Sequence, residues 1–148
     1  MKYLVVIGMQ NDYVTGALKN EAAQAIVPGI CNKIKEYNAN KFPVFLVYDK
    51  RDDNYLSTHY DDYLETNEGK HLPVPHCIQG TVGYELVQDV KYAGLSKYVE
   101  KMSLGAEMLP PTMWDFAACD GLPDEIEIVG TRTDADILST AIIVKNEF

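Results

Sequence analysis

The sequence predicts a single α/β domain in which helices cover both faces of a parallel sheet. Short apolar runs typical of strands alternate along the chain with segments whose apolar residues recur at helical spacing. The 148 residues suffice for one domain of ordinary size, and no linker rich in Pro, Gly or Ser divides them. We therefore expect one domain that spans residues 1–148.

The chain opens with a predicted strand and helix. Residues 4–7 (LVVI) form an uninterrupted apolar run that ends at Gly8, which is typical of a strand buried on both faces of a parallel sheet. Pro28 stands where a helix can begin, because proline is favoured in a first helical turn. Apolar residues at helical spacing follow it from Ile30 onward.

The remaining elements continue this alternation. Further strands are predicted at residues 44–48, 97–101 and 126–129, with an amphipathic turn at residues 83–90 before the third strand. The last strand ends at Gly130, and the apolar residues after it share one helical face. A parallel sheet of this kind binds its ligands at the carboxyl ends of its strands.

Composition and charge exclude several classes of function. With 13 Lys and Arg against 22 Asp and Glu, the net charge is −9, and such a surface repels nucleic acid. No apolar run approaches the roughly 18 residues of a membrane helix. The apolar stretch before Gly8 is too short for a secretory signal. We therefore expect a cytoplasmic protein without a nucleic-acid or membrane partner.

The cysteines are predicted to be free thiols. Cys31, Cys77 and Cys119 are odd in number and show no CxxC spacing. That pattern disfavours both a disulfide framework and a structural zinc knuckle.

An acidic segment at residues 49–70 contains a short duplication. Residues 53–58 (DNYLST) recur eight residues later as residues 61–66 (DDYLET), with Asp, Tyr, Leu and Thr at matching places. One interpretation is an acidic, tyrosine-rich surface loop that packs partly on the domain. The other is a tandem duplication inside a loop that once carried a site.

Four segments of the chain resemble the isochorismatase-like cysteine hydrolases, the superfamily that includes nicotinamidases. The segments are VVIGMQNDY at residues 5–13, LPVPHCIQGT at residues 72–81, Lys101 with the serine and glycine after it, and GTRTDAD at residues 130–136. They follow one another in the family's order. The resemblance implies the Rossmann-like layered α/β fold of that family.

The resemblance also implies where a catalytic triad would lie. In that family an Asp after the first strand, a Lys, and a Cys at the start of a late helix attack an amide or vinyl-ether carbon. The thiolate is the nucleophile, and the Asp takes up the proton. The three positions correspond to Gly8, Lys101 and Asp136, so the acceptor and the thiol are both missing. We therefore expect no ordinary cysteine-hydrolase activity.

Lys101 and Asp136 remain as candidate catalytic residues of a degenerate triad with Gly8. Asp136 is interpreted either as a helix cap, which a carboxylate at a first turn makes well, or as the ion-pair partner of Lys101. Lys101 is either a pocket residue or a solvated strand end. The candidate ligand-binding residues are Gly8, Tyr13, Lys101, Arg132 and Asp136.

No metal cofactor is expected. Metal-containing members of the family use an Asp-x-His pair after the second strand, because a carboxylate and an imidazole suit a zinc- or iron-like ion. Residues 49–51 (DKR) keep the Asp but have Arg51 in place of the His, whereas residues 57–59 (STH) keep the His and lack the Asp. Asp49 and His59 are therefore only weak metal candidates, with Glu68 or His71 as a third ligand.

The resemblance implies a further strand and helix beyond residue 148, so the expected sheet lacks the family's last strand and helix. An uncovered sheet edge exposes unpaired backbone groups, and we therefore expect a homo-oligomer. The apolar cluster at residues 108–119 is predicted as a loop. It either forms an interface or folds as a lid over the domain's own core.

Three functions remain open. The first is a pseudoenzyme that binds, without hydrolysing, a small planar nicotinamide-like or nucleotide-derived metabolite. The second is a hydrolase of the same family with altered chemistry that uses Asp136 and Lys101. The third is an interaction protein or rearranged chain without a ligand.

Overall fold

A computed structural model describes residues 1–51, 64–65 and 67–148. Most of the predicted duplication, including His59, lies outside these residues. The helices and strands follow one another as β1 (Lys2–Ile7), α1 (Asn11–Val14), α2 (Glu21–Ala39), β2 (Val44–Asp49), α3 (Asn67–His71), α4 (Gln88–Lys91), β3 (Lys97–Lys101), α5 (Leu109–Asp120), β4 (Glu125–Gly130), a π-helical turn (Thr133–Ile137) and α6 (Leu138–Glu147).

The described strands form one parallel sheet in the order β3-β2-β1-β4. β1 lies inside the sheet and pairs with both β2 and β4. The register of β2 and β3 places Asp49 opposite Lys101 at the carboxyl ends of the two strands. The predicted α/β fold with a parallel sheet is confirmed.

Two apolar clusters pack on opposite faces of this sheet because successive strand side chains point to opposite sides. Leu4 and Val6 of β1 belong to the cluster that contains α2. Tyr3, Val5 and Ile7 belong to the cluster that contains α5 and α6. Burial on both faces explains why β1 is an uninterrupted apolar run.

Helix α2 begins earlier than the sequence predicts. Its N-cap is Asn20, whose side chain accepts a hydrogen bond from the backbone N–H of Ala22 at 2.8 Å. Pro28 lies inside the helix, where it removes one hydrogen bond and crowds the preceding turn. Burial of Ile30 and Ile34 against the sheet outweighs that cost, so the predicted start at Pro28 is wrong.

The apolar segment that was expected as a loop is helix α5. Its prolines stand in the first turn, where proline is tolerated, so they begin the helix rather than break it. Leu109 and Met113 are fully buried in the core. Trp114 is 43% exposed and stacks on Phe148 with 4.6 Å between ring centroids. The inner face of this segment therefore packs against the domain itself.

Two further sequence expectations concern membranes and thiols. None of the helices in the described part of the chain is long and apolar enough to cross a membrane. Cys31 and Cys77 are buried, Cys119 is exposed, and all three are free thiols as predicted.

The outer edge of β4 carries an apolar groove. Within the described residues β4 pairs with β1 alone, and most of its residues are half-buried, whereas those of β1 are almost all buried. A groove of about 630 Å³ beside β4 is lined by Ile126, Ile128 and Phe148 among others. Ile142 of α6 lines the same groove and is 54% exposed.

We propose that a second copy of the chain covers this groove. A projecting Ile142 beside a groove is self-complementary, so two copies related by a twofold axis can each insert this side chain into the other. Such packing buries the apolar lining of the groove in both copies.

The substitution Ile142→Glu should convert a dimer into a monomer, because it places a charge in the apolar contact. The matched control is Val82→Glu, which adds the same charge at a residue that is 78% exposed and outside the groove. Sedimentation velocity at micromolar concentration measures the outcome. A wild-type chain that sediments as a 16.6 kDa monomer would contradict the proposal.

Candidate functional site

The site lies at the carboxyl ends of the four described strands and draws side chains from each of them. Tyr13 lies on α1, directly after β1, and Asp49 ends β2. Lys101 ends β3, while Arg132 and Asp136 lie in the turn after β4. Parallel strands bring all their carboxyl ends to one edge, so these five side chains converge.

The ammonium group of Lys101 is fully occupied by the protein. It donates to Asp49 Oδ1 at 2.5 Å, to Asp136 Oδ1 at 2.8 Å and to the Ser103 carbonyl at 3.0 Å. An ammonium carries three protons. None of them is left to donate to a ligand.

Both carboxylates are occupied in the same way. The Tyr13 hydroxyl donates to Asp49 Oδ2, and Arg132 Nε donates to Asp136 Oδ2. Asp49, Lys101 and Asp136 have side chains at most 1% exposed. The result is a buried row of alternating charges, which we call the charge row: Asp49, Lys101, Asp136 and Arg132.

The surroundings fix the protonation of Asp49 and Tyr13. Burial acts to raise the pKa of Asp49, but the charge and hydrogen bond of Lys101 and the Tyr13 hydroxyl outweigh it, so that pKa lies below its usual value. Burial and the charge of Asp49 raise the pKa of Tyr13 well above its ordinary range. Tyr13 is therefore a neutral phenol that donates to an ionised carboxylate.

Asp136 is not the helix cap that one interpretation of the sequence predicts. It lies within the π-helical turn, is 1% exposed and directs its carboxylate to Lys101 and Arg132. The alternative prediction of an ion pair with Lys101 is confirmed. Lys101 is correspondingly a buried residue and not a solvated strand end.

Arg132 has an unusual backbone that directs its side chain inward. Its φ of 60° and ψ of 65° are left-handed, which costs a non-glycine residue about 1–2 kcal/mol. The guanidinium carbon lies 5.0 Å from the centroid of the Tyr13 ring, a cation–π contact. This contact and the ion pair with Asp136 offset the backbone strain.

Gly8 has a left-handed backbone and lies close to Thr131. Its φ is +68°, and a Cβ added there would lie 2.7 Å from Thr131 Oγ1. The Thr131 hydroxyl also donates to the Gly8 carbonyl at 3.0 Å. The space beside β1 is therefore filled by Thr131, and a side chain at position 8 has no room.

A cavity of about 400 Å³ adjoins the charge row. Arg132 forms part of both, and Leu72 and Leu104 supply apolar walls. The rest of the lining is His71, Asp134, Ala135 and Ser139. A larger cavity of about 640 Å³ lies at the β3 edge and touches Lys101, but its lining includes neither Arg132 nor Asp136. We call the smaller cavity the Arg132 pocket. We take it as the candidate ligand site because Arg132, Asp134 and Ala135 of its lining belong to the turn that carries Asp136.

Comparison with known proteins identifies the family. The family model described as the isochorismatase domain matches residues 2–146. The chain belongs to the isochorismatase family. The resemblance predicted from the four motifs is confirmed by this match.

Solved structures of this family share the fold. The nicotinamidase/pyrazinamidase of Bacillus subtilis is 26% identical with a TM-score of 0.74, and the match covers 98% of this chain and 79% of that one. A pyrazinamidase of Pyrococcus horikoshii in complex with zinc is 20% identical with a TM-score of 0.75, covering 99% and 80%. The N-carbamoylsarcosine amidase of Thermoplasma acidophilum is 18% identical at the same TM-score, covering 99% and 78%. No curated protein matches the sequence.

The described residues of this isochorismatase-family chain do not fit the divalent metal that the family resemblance implies. Asp49 accepts hydrogen bonds from Lys101 and Tyr13, but a carboxylate keeps further lone pairs, so the misfit lies with the second ligand. The residue two positions further is Arg51, which has no lone pair to offer a metal. Apart from the undescribed stretch that contains His59, no three His, Cys, Asp or Glu side chains are grouped to hold an ion.

A buried thiol, that of Cys77, adjoins the charge row of this isochorismatase-family chain. Cys77 lies near Asp49 and Tyr13 but is fully buried. Burial and the nearby carboxylates raise its pKa, which keeps it a protonated, unreactive thiol. Its backbone N–H donates to Asp12 Oδ2 at 2.8 Å, which fixes this segment against α1.

The ion pair of Asp49 with Lys101 is not evident from the sequence, which predicts Asp49 only as a weak metal ligand. The structure places Asp49 at the centre of the site. The one signal in the sequence is that each residue ends a predicted strand. The register that places the two side by side depends on the packing of the whole sheet.

The substitution Gly8→Ala should destabilise the fold by about 1–3 kcal/mol, because it combines a left-handed backbone with a contact to Thr131. Gly29→Ala is the matched control. It lies in α2 with nothing within 4 Å of the added Cβ, so it should stabilise by about 1 kcal/mol. Urea unfolding measures both. Equal effects of the two substitutions would show that Thr131 does not fill this position.

Proposed function

We propose that this chain binds, without hydrolysing it, a small planar nicotinamide-like or nucleotide-derived metabolite in the Arg132 pocket. The observation that supports the proposal is the closed charge row. Every proton of the Lys101 ammonium and both oxygens of each of its carboxylate partners are engaged within the protein.

Hydrolysis would need a nucleophile and a proton acceptor that are free to act. The carboxylate of Asp136 is bound by Lys101 and Arg132, and a carboxylate engaged by two cations is a weak nucleophile. Gly8 offers no acceptor, and Thr131 fills its place. These contacts favour binding over the alternative in which Asp136 and Lys101 carry altered chemistry.

The lining of the pocket suits a partly apolar ligand that carries a polar group. Leu72 and Leu104 present apolar walls, while Arg132, Asp134 and Ser139 supply polar groups. Ligand sites of this kind are mostly apolar and contain a few polar groups that fix orientation. The Bacillus subtilis relative is a nicotinamidase/pyrazinamidase by name. Pyridine and pyrazine carboxamides are therefore the first compounds to test.

A thermal-shift screen of nicotinamide, pyrazinamide, nucleobases and nucleotides, followed by mass spectrometry of the recovered compound, tests this proposal. We expect one class to raise the melting temperature and to be recovered unchanged, with no ammonia released. A converted compound would favour the altered-chemistry alternative. If no compound binds, the chain is better explained as an interaction protein.

The substitution Ser139→Phe should abolish binding of any compound found, because it fills the pocket with a ring. The matched control is Leu138→Phe, the adjacent residue of α6, which is 53% exposed and does not line the pocket. Titration calorimetry with each variant measures the loss. Unchanged affinity in Ser139→Phe would place the ligand elsewhere on the protein.

A further inference from the structure

Arg51 is held inside the carboxyl edge of the sheet, beyond the end of β2. Arg51 is 6% exposed, and its Nη1 donates to the Met102 carbonyl at 2.6 Å. Its backbone N–H donates to the Cys77 carbonyl at 3.0 Å, and its carbonyl accepts from Gln79 at 2.6 Å. These bonds fix a buried cation beside the segment that contains His76.

His76 is oriented like a metal ligand. Its Nδ1 lies 2.6 Å from the Val74 carbonyl, and because a carbonyl only accepts, Nδ1 carries the proton and Nε2 presents a lone pair. The residue is 1% exposed, and within the described residues Nε2 has no hydrogen-bond partner. A histidine whose Nδ1–H is held by a carbonyl is the usual arrangement in metal sites.

Asp49 and His76 approach the same aromatic side chain. The Tyr13 hydroxyl donates to Asp49, and its ring centroid lies 5.6 Å from that of His76. A carboxylate and an imidazole are the donors that zinc-like ions take. Two positions after Asp49 stands Arg51. Its guanidinium remains protonated and repels a cation.

We propose that Arg51 supplies, as a permanent part of the chain, the positive charge that a bound ion would supply beside Asp49 and His76. The site is then complete without a metal. This inference is independent of the proposed ligand, because it concerns how the site assembles. It also extends the proposal, since any ligand binding would need no metal.

Metal analysis of purified chains that have been incubated with Zn²⁺ and then dialysed tests the inference. We expect wild type and Arg51→Lys, which keeps the charge, to retain no stoichiometric zinc. Arg51→His removes the charge and adds a third ligand, so it should retain about one ion per chain. The double variant Arg51→His/His76→Gln should lose that ion again.

Further measurements check the folding of each variant and the geometry of the metal site. Circular dichroism and melting temperature establish that each variant folds, and Co²⁺ absorption reports on tetrahedral coordination in Arg51→His. If Arg51→His does not fold, the melting temperatures of Arg51→Lys and Arg51→Met test the inference instead. Only Arg51→Lys, which keeps the positive charge, should keep the wild-type melting temperature. One zinc per wild-type chain, no uptake by folded Arg51→His, or equal stability of the lysine and methionine variants would overturn the inference.

Discussion

The buried ammonium of Lys101, held between Asp49 and Asp136, is the interaction on which the rest of this site depends. An unpaired charge at this depth would cost several kcal/mol, and removing one partner of a buried ion pair typically costs about 3–5 kcal/mol. The three side chains come from the ends of β2 and β3 and from the turn after β4. Their mutual attraction therefore ties these connections together at the edge where a ligand would bind.

The two departures from the triad that the resemblance implies compensate each other in charge. The resemblance places a carboxylate at position 8, where this chain has Gly8, and a thiol at position 136, where it has Asp136. Lys101 still needs anions around it, and Asp136 provides one from the opposite side of the site. The charge balance of the site is kept. Under the proposed binding function, this exchange leaves the site without the proton acceptor and the nucleophile that hydrolysis would need.

Much of the fold and part of the site follow from the sequence for physical reasons. The apolar run of β1 and the alternating residues of β4 mark strands, because β1 is buried on both faces and β4 is half-buried. The resemblance offers the Lys101–Asp136 ion pair as one of two interpretations of Asp136. The start of α2 could not be predicted, because tertiary packing outweighs the local preference of Pro28. The sequence also does not predict the left-handed backbone of Arg132 or the register of Asp49 with Lys101. Both depend on contacts between segments that are distant in the chain.

A double-mutant cycle on Lys101 and Asp136 tests the central claim most directly. The free energy of unfolding is measured for wild type, Lys101→Met, Asp136→Asn and the double variant, with Lys91 and Glu85 as an exposed control pair. The account predicts that the double variant loses less stability than the two single losses added, by about 2–3 kcal/mol, and that the control pair couples by at most about 1 kcal/mol. Additive losses at Lys101 and Asp136, within about 0.5 kcal/mol, would contradict it.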